Sequence, residues 1–295
     1  MKRNLAVFTL LVSGLLTAGS SVEAASSYYC AAPYDLSSKP ARMFTKVTGA
    51  NFMSEKIAER ILKSEVTKNA DGKFKVGVDS FSLSDLTAGR FKGMQIHGEN
   101  VVADGVYFST MDLKTLCDFN YIVYDKKNST AIFKEDFPLF FGVSISENDL
   151  NNTMKAAGYN AMVEKLNSFG KTLSLFNIDS TKVKIKDNKF YFVFGIKIPI
   201  LNTMPNKTFT VAFVSDLNVV NGKIKLDNPE LINDFIRVDM AKMVNALNYL
   251  NPLEYSLDVM ENKNAVLNVQ EVKIVDNKIN ISGIINVPKD VLTQK

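Results

Sequence analysis

The sequence predicts an α+β fold in which long antiparallel strands pack against a few amphipathic helices. Three observations carry that expectation. Residues 94–113 alternate apolar and polar about Asp104-Gly105, as a half-buried hairpin does where Gly takes positive φ without a Cβ clash. Residues 190–200 put Phe190, Phe192, Phe194, Ile196, Ile198 and Ile200 on one side of a strand, and Phe209, Val211 and Phe213 supply a matching face after Pro205-Asn206. Two stretches repeat apolar residues at spacings of three and four. One holds Ile57, Ala58, Ile61, Leu62 and Val66; the other holds Ile232, Phe235, Ile236, Met240, Met243, Val244 and Leu247.

The totals bound what such a chain can do. Its 295 residues fit one large domain or two small ones. At 46% hydrophobic and 22% charged it can bury a sizeable core and is not a disordered chain. The net charge is +4, and removing two basic residues and one acidic residue (Lys2, Arg3 and Glu23) leaves +3. The charges are interspersed rather than gathered in a basic stripe, so nucleic acid is not the expected partner.

Lys2 and Arg3 precede an apolar run from Leu5 to Leu16, and Val22-Glu23-Ala24 follows. A charged start, a short apolar run and a small-x-small site predict a secretory signal peptide cut after Ala24. Residues 25–47 are polar, contain Pro33 and Pro40, and read as a tail or loosely docked arm. Residues 48–295 then form the α+β domain, with halves at 48–145 and 146–295 as a further division. Tyr29 before Cys30 does not suit a lipoprotein cysteine. An oxidising compartment permits a Cys30–Cys117 disulfide, but spacing alone leaves both a bridge and two free thiols open.

Further elements follow in order. Phe74, Val76 and Val78 alternate after Asp71-Gly72; so do Phe119, Tyr121 and Val123, and then Leu139, Phe141, Val143 and Ile145. Ser146 with Asp149 reads as a capping box opening a helix, and the helical pattern breaks near Gly158. Asn228-Pro229-Glu230 reads as the start of the long second helix, with Asn as cap and Pro at N1; Pro252 ends it. That helix would run about 30 Å, close to the ~35 Å of an eleven-residue strand. Residues 183–189 and 272–278 echo each other as VKIKDNK and VKIVDNK, two hairpins turning at Asp-Asn.

Catalytic chemistry is sparse. His97, in a strand, is the single His, so a His/Cys metal cluster cannot be built from it and two distant Cys. There is no Gly-x-Ser-x-Gly elbow, P-loop or dinucleotide fingerprint. No enzyme and no cofactor is expected.

The run Leu86-Thr87-Ala88-Gly89-Arg90-Phe91, then Gly98, Gly105 and a strand ending Met111-Asp112-Leu113, resembles the LmeA family of bacterial envelope phospholipid-binding proteins. The stretch from Val143 to Asn151 resembles that family's strand leading into a short helix. Together these cover about a third of the chain. The resemblance implies a periplasmic or envelope protein, with phospholipid or another acyl lipid as partner and only transient contact with the membrane surface. It also implies a strongly curved antiparallel sheet wrapped around helices, a half barrel like that of the tubular lipid-binding proteins. The long one-sided strands then mark the expected acyl-chain site: Phe190, Phe192, Phe194, Ile196 and Ile198, with Phe209, Val211 and Phe213 beside them. Phe235, Ile236, Met240, Met243 and Leu247 would form one wall, and Ile57, Ile61 and Leu62 one end. The alternative is an exported interaction scaffold that binds a protein on a sheet edge or apolar patch.

Overall fold

The computed structural model describes residues 28–47, 50–125, 130–172, 177–197, 208–232, 240–258, 260–261, 265–290 and 292–293. The fold is α+β, and its strand pairs are antiparallel. The strands are divided among three sheets. A six-stranded sheet has the order β1 (Asp71–Asp79), β3 (Gly93–Ala103), β4 (Val106–Thr115), β7 (Phe137–Ser146), β13 (Lys278–Val287), β12 (Val266–Val275). A four-stranded meander holds β8 (Asn177–Lys186), β9 (Lys189–Lys197), β10 (Phe209–Val220) and β11 (Lys223–Leu231). A small sheet joins β2 (Arg90–Phe91), β5 (Asn120–Asp125), β6 (Thr130–Phe133) and β14 (Leu292–Thr293). The helices are α1 (Lys39–Val47), α2 (Ala50–Asn69), α3 (Leu83–Thr87), α4 (Glu147–Thr153), α5 (Ala157–Thr172), α6 (Met240–Tyr249) and α7 (Pro252–Asp258). The proposed cleavage site after Ala24 lies outside the described residues.

Four hairpins share one turn chemistry. Asp104-Gly105, Asp187-Asn188, Asn221-Gly222 and Asp276-Asn277 all have both central residues at positive φ. That geometry matches the right-handed twist of the flanking strands, and Asn, Asp and Gly adopt it most readily. The two echoed sequences do form hairpins. They belong to different sheets, β8–β9 and β12–β13, and each first strand carries a register shift, between Ile178 and Ser180 and between Val269 and Glu271.

Three local expectations are corrected. Asn228-Pro229-Glu230 does not open a helix; it lies in β11, and α6 begins at Met240. Val214 pairs with Glu230 and Asp216 with Asp227, so one residue of β10 faces two of β11. Asn228 takes the positive φ of this bulge, and Pro229 sits where a missing N–H interrupts no ladder. The arm is partly helical: Ser38 opens α1, and Pro40 falls in the first turn, where no intrahelical N–H is needed. In β4 the apolar–polar alternation expected through residue 113 slips by one: the buried residues are Val106 and Phe108, then Met111 and Leu113. Asn100, at positive φ in the neighbouring β3, marks the same phase change there.

The capping box is present as expected. Ser146 Oγ accepts the Asp149 N–H, and the Asp149 carboxylate accepts the Ser146 N–H at 2.8 Å. One continuous apolar cluster runs through both larger sheets and the helices.

Candidate functional site

The expected acyl-chain face is a packed face. Phe190, Phe192 and Phe194 on β9 and Val211 and Phe213 on β10 are buried. The ladder sets Val211 opposite Phe194 and Phe213 opposite Phe192. The rings of Phe192 and Phe194 stand 4.2 Å apart, and Phe194 meets Phe213 edge-on at 6.2 Å. Phe194 is only 4% exposed, so almost no water-sized space touches it. Ile196 and Phe209 are half-buried at the end of the same face.

The other expected lining residues are distributed differently. Leu247 on α6 is buried, and Met240 and Met243 fall on the same helix. Ile198, Phe235 and Ile236 lie outside the described residues. On α2 the buried line is Ala58, Leu62 and Val66; Ile61 is half-buried, and Ile57, at 40% exposure, sits on the outer surface. α2 packs on β1, whereas β10 and β11 approach the six-stranded sheet at its opposite edge, β12. Leu62 therefore belongs to the common core at a distance in strand order from the Phe face.

Helix side chains close both edges of the meander, a feature the sequence reading missed. On β8, Asn151 accepts the Val183 N–H at 2.9 Å and donates to the Val183 carbonyl at 3.0 Å. Asn167 does the same for Ile178, at 2.7 and 2.9 Å. Glu147 accepts the Ile185 N–H at 3.0 Å. On β11, Asn248 accepts the Leu226 N–H at 3.0 Å, and Asn251 donates to the Ile224 carbonyl at 3.0 Å. Glu254 accepts the Ile224 N–H. An open edge invites strand addition, so these caps remove that liability while binding helices α4–α7 to the rims of the sheet. Within the rims, Met162 and Leu166 of α5 and Leu250, Leu253 and Leu257 of α6–α7 join the apolar cluster that holds the Phe face.

The β11 rim carries a half-buried carboxyl. Burial pushes the Glu254 carboxyl up to about 7 against the opposing pull of the Ile224 N–H, Lys223 and Lys225. Burial also raises Asp258 and Glu261, with Lys223 again opposing.

The arm is latched at the far end of the chain's core. Cys30 and Cys117 form a disulfide with their Cα atoms 5.4 Å apart. Tyr34 packs edge-on against Phe119 and Tyr121. Asp85, fully buried, accepts the Ser37 N–H at 2.7 Å, Ser37 Oγ at 2.8 Å and Ser82 Oγ at 2.6 Å, with Arg90 Nε at 3.6 Å. Burial raises the Asp85 carboxyl, but these hydrogen bonds and the Arg90 charge outweigh it and hold the group below its usual value. The family-like run is thus structural: Gly89, at φ 84°, is pressed so close to the Ile122 carbonyl that a Cβ would lie 1.9 Å from its oxygen. His97 is a half-exposed strand residue with Nδ1 2.6 Å from Asp112.

Among the described residues no group of His, Cys, Asp or Glu is placed to hold a metal, and no helix is long and apolar enough to cross a membrane. No protein-family model, curated protein or solved structure matches the chain.

Proposed function

We propose that this is a non-catalytic envelope protein that takes up acyl chains between the Phe-rich face of the β8–β11 meander and helices α5–α7. The capped edges are the observation that carries this reading. Directional hydrogen bonds hold the helices at the rims, while the interior contacts are apolar and non-directional. An acyl chain can replace such contacts at small cost, because each CH₂ gains about 0.8 kcal/mol on leaving water and keeps that gain in either bilayer or protein. The nine residues of β9 span about 30 Å, twice the roughly 15 Å of hydrocarbon in one bilayer leaflet. In this reading the two larger sheets form the wall of a curved half barrel, and the protein works in the periplasm or envelope as a carrier or a sensor, a location with which the leader-like start and the disulfide are compatible.

The same caps weigh against a scaffold that binds a partner strand on this sheet, since both of its edges are already hydrogen-bonded. Native mass spectrometry of mature protein from the envelope tests the reading. Phospholipid-sized adducts are expected on the wild type and are expected to vanish in Phe194→Asn while the melting transition survives. A bare protein mass on the wild type, adducts that Phe194→Asn retains, or collapse of that variant's melting transition overturns it, the last because it would make Phe194 plain core.

A further inference from the structure

The outer face of the six-stranded sheet holds a groove of about 300 Å³. It crosses β4, β7, β13 and β12. The ladder sets Thr110 beside Ser144, Ser144 beside Asn280 and Asn280 beside Lys273. The next row runs from Asp112 through Gly142 and Ser282 to Glu271. The opposite side of these strands is core, with Met111, Val143 and Ile281 buried. Strand spacing makes this a grid of about 5 Å by 7 Å, on a backbone that cannot easily deform.

Three features define what the groove can take. First, the side chains of Thr110, Ser144, Asn280 and Ser282 have no hydrogen-bond partner among the described residues, so hydroxyl and amide groups are presented outward unspent. Second, the charges are already occupied. Lys273, the single cation among the lining residues, is bridged to Glu271, and Asp112 is bonded to His97. Two carboxylates against one ammonium make the groove unfavourable to an anion. Third, Phe140 is 36% exposed and its ring leans over Gly142, 3.3 Å from where a Cβ would stand there. An exposed ring at the rim of a polar floor suits an uncharged ligand with one apolar C–H face and a hydroxylated edge.

We propose that this groove binds a neutral sugar ring of an envelope glycan, with the ring's C–H face on Phe140 and its hydroxyls on Ser144, Asn280 and Ser282. The volume, at the low end for ligand sites, fits one or two rings. The proposal takes only the envelope location from the reading above; the two sites lie on different sheets and share no residue.

Saturation-transfer NMR on the mature protein tests it, with cellobiose, maltose and N,N′-diacetylchitobiose as probes. Transfer to the ring protons of at least one probe is expected, at a dissociation constant of about 1 mM. Phe140→Ala and Asn280→Ala should each weaken it about tenfold; both residues are exposed, and an unchanged melting temperature confirms the fold. The lipid adducts seen by native mass spectrometry should be the same in both variants. No transfer from any of the three probes, transfer that both variants retain, or displacement of the sugar by inorganic phosphate overturns the proposal.

Discussion

Asn151 and Val183 exchange two hydrogen bonds, 2.9 Å from the Val183 N–H to the side-chain oxygen and 3.0 Å from the side-chain amide to the Val183 carbonyl. An asparagine on a helix thus stands where a neighbouring strand would be. Asn167 repeats the device at Ile178, and it is almost completely buried.

The first prediction concerns this device. Replacing Asn167 by Ala orphans a buried N–H and a buried carbonyl, at about 1–3 kcal/mol for each unsatisfied group. In a chain of this size, each kcal/mol lowers Tm by roughly 2–4 °C. Asn167→Asp keeps the acceptor but sets a buried carboxylate oxygen against the Ile178 carbonyl, so at neutral pH it should be no milder than Ala and should recover in acid, where the protonated carboxyl can donate again. A calorimetric Tm for Asn167→Ala within a degree of wild type would show that the cap contributes nothing.

The second concerns pH. Glu254, raised from 4.5 to about 7, binds its proton more tightly in the folded chain than in the unfolded one. Its folded-state penalty is greatest above pH 7 and is relieved as the pH falls through 7 toward 4.5, so stability rises over that window. Asp258 and Glu261 act in the same direction. Asp85 acts oppositely: its contribution is complete above its usual value of 3.8 and is lost as the pH falls below it. Denaturation curves should therefore show maximal stability at mildly acidic pH. Glu254→Gln keeps an acceptor for the Ile224 N–H without burying a charge, and should flatten the decline between about pH 4.5 and 7. An identical decline in the variant would remove Glu254 from the account.

The third concerns the disulfide. Cys30–Cys117 closes 87 residues, which in the chain-entropy account is an upper stabilisation of about 4–5 kcal/mol. Cys117→Ser should lower Tm. It should also make the arm more open to protease, because the covalent tie is lost and non-covalent contacts such as those of Tyr34, the Asp85 cluster and the 2.5 Å Arg90–Asp35 bridge remain. A non-reducing peptide map of protein from the envelope should show one linked pair; two alkylated thiols would exclude the bridge.

The fourth concerns export. N-terminal sequencing of envelope material should begin at Ala25. Intact Met1 on the mature protein would end the reading of residues 1–24 as a leader.

Several structural features were legible in short stretches. Asp104-Gly105, Asp187-Asn188 and Asp276-Asn277 announce their turns because few residue pairs tolerate two positive φ values. Asn221-Gly222 carries the same preference and went unread. Had it been used, it would have continued the alternation of Ile224 and Leu226 into β11 and removed the helix start at Asn228. The Asn caps were not legible, since nothing around Asn151 or Asn167 separates an edge cap from a solvated amide on a helix.

By itself, then, the sequence determined the turns, the Ser146 capping box, the one-sided Phe190–Phe194 strand and the absence of catalytic motifs. Each of these is set by φ preference, capping or alternation within a few residues. Only the tertiary structure decided that the strands divide among three sheets, and that β13 pairs with β7 from more than a hundred residues away. It also decided that Cys30 meets Cys117, and that Ile57 faces outward while Leu62 does not. Those outcomes depend on which apolar face finds which partner, and loop-closure entropy rises so slowly with chain length that local sequence barely discriminates among the candidates.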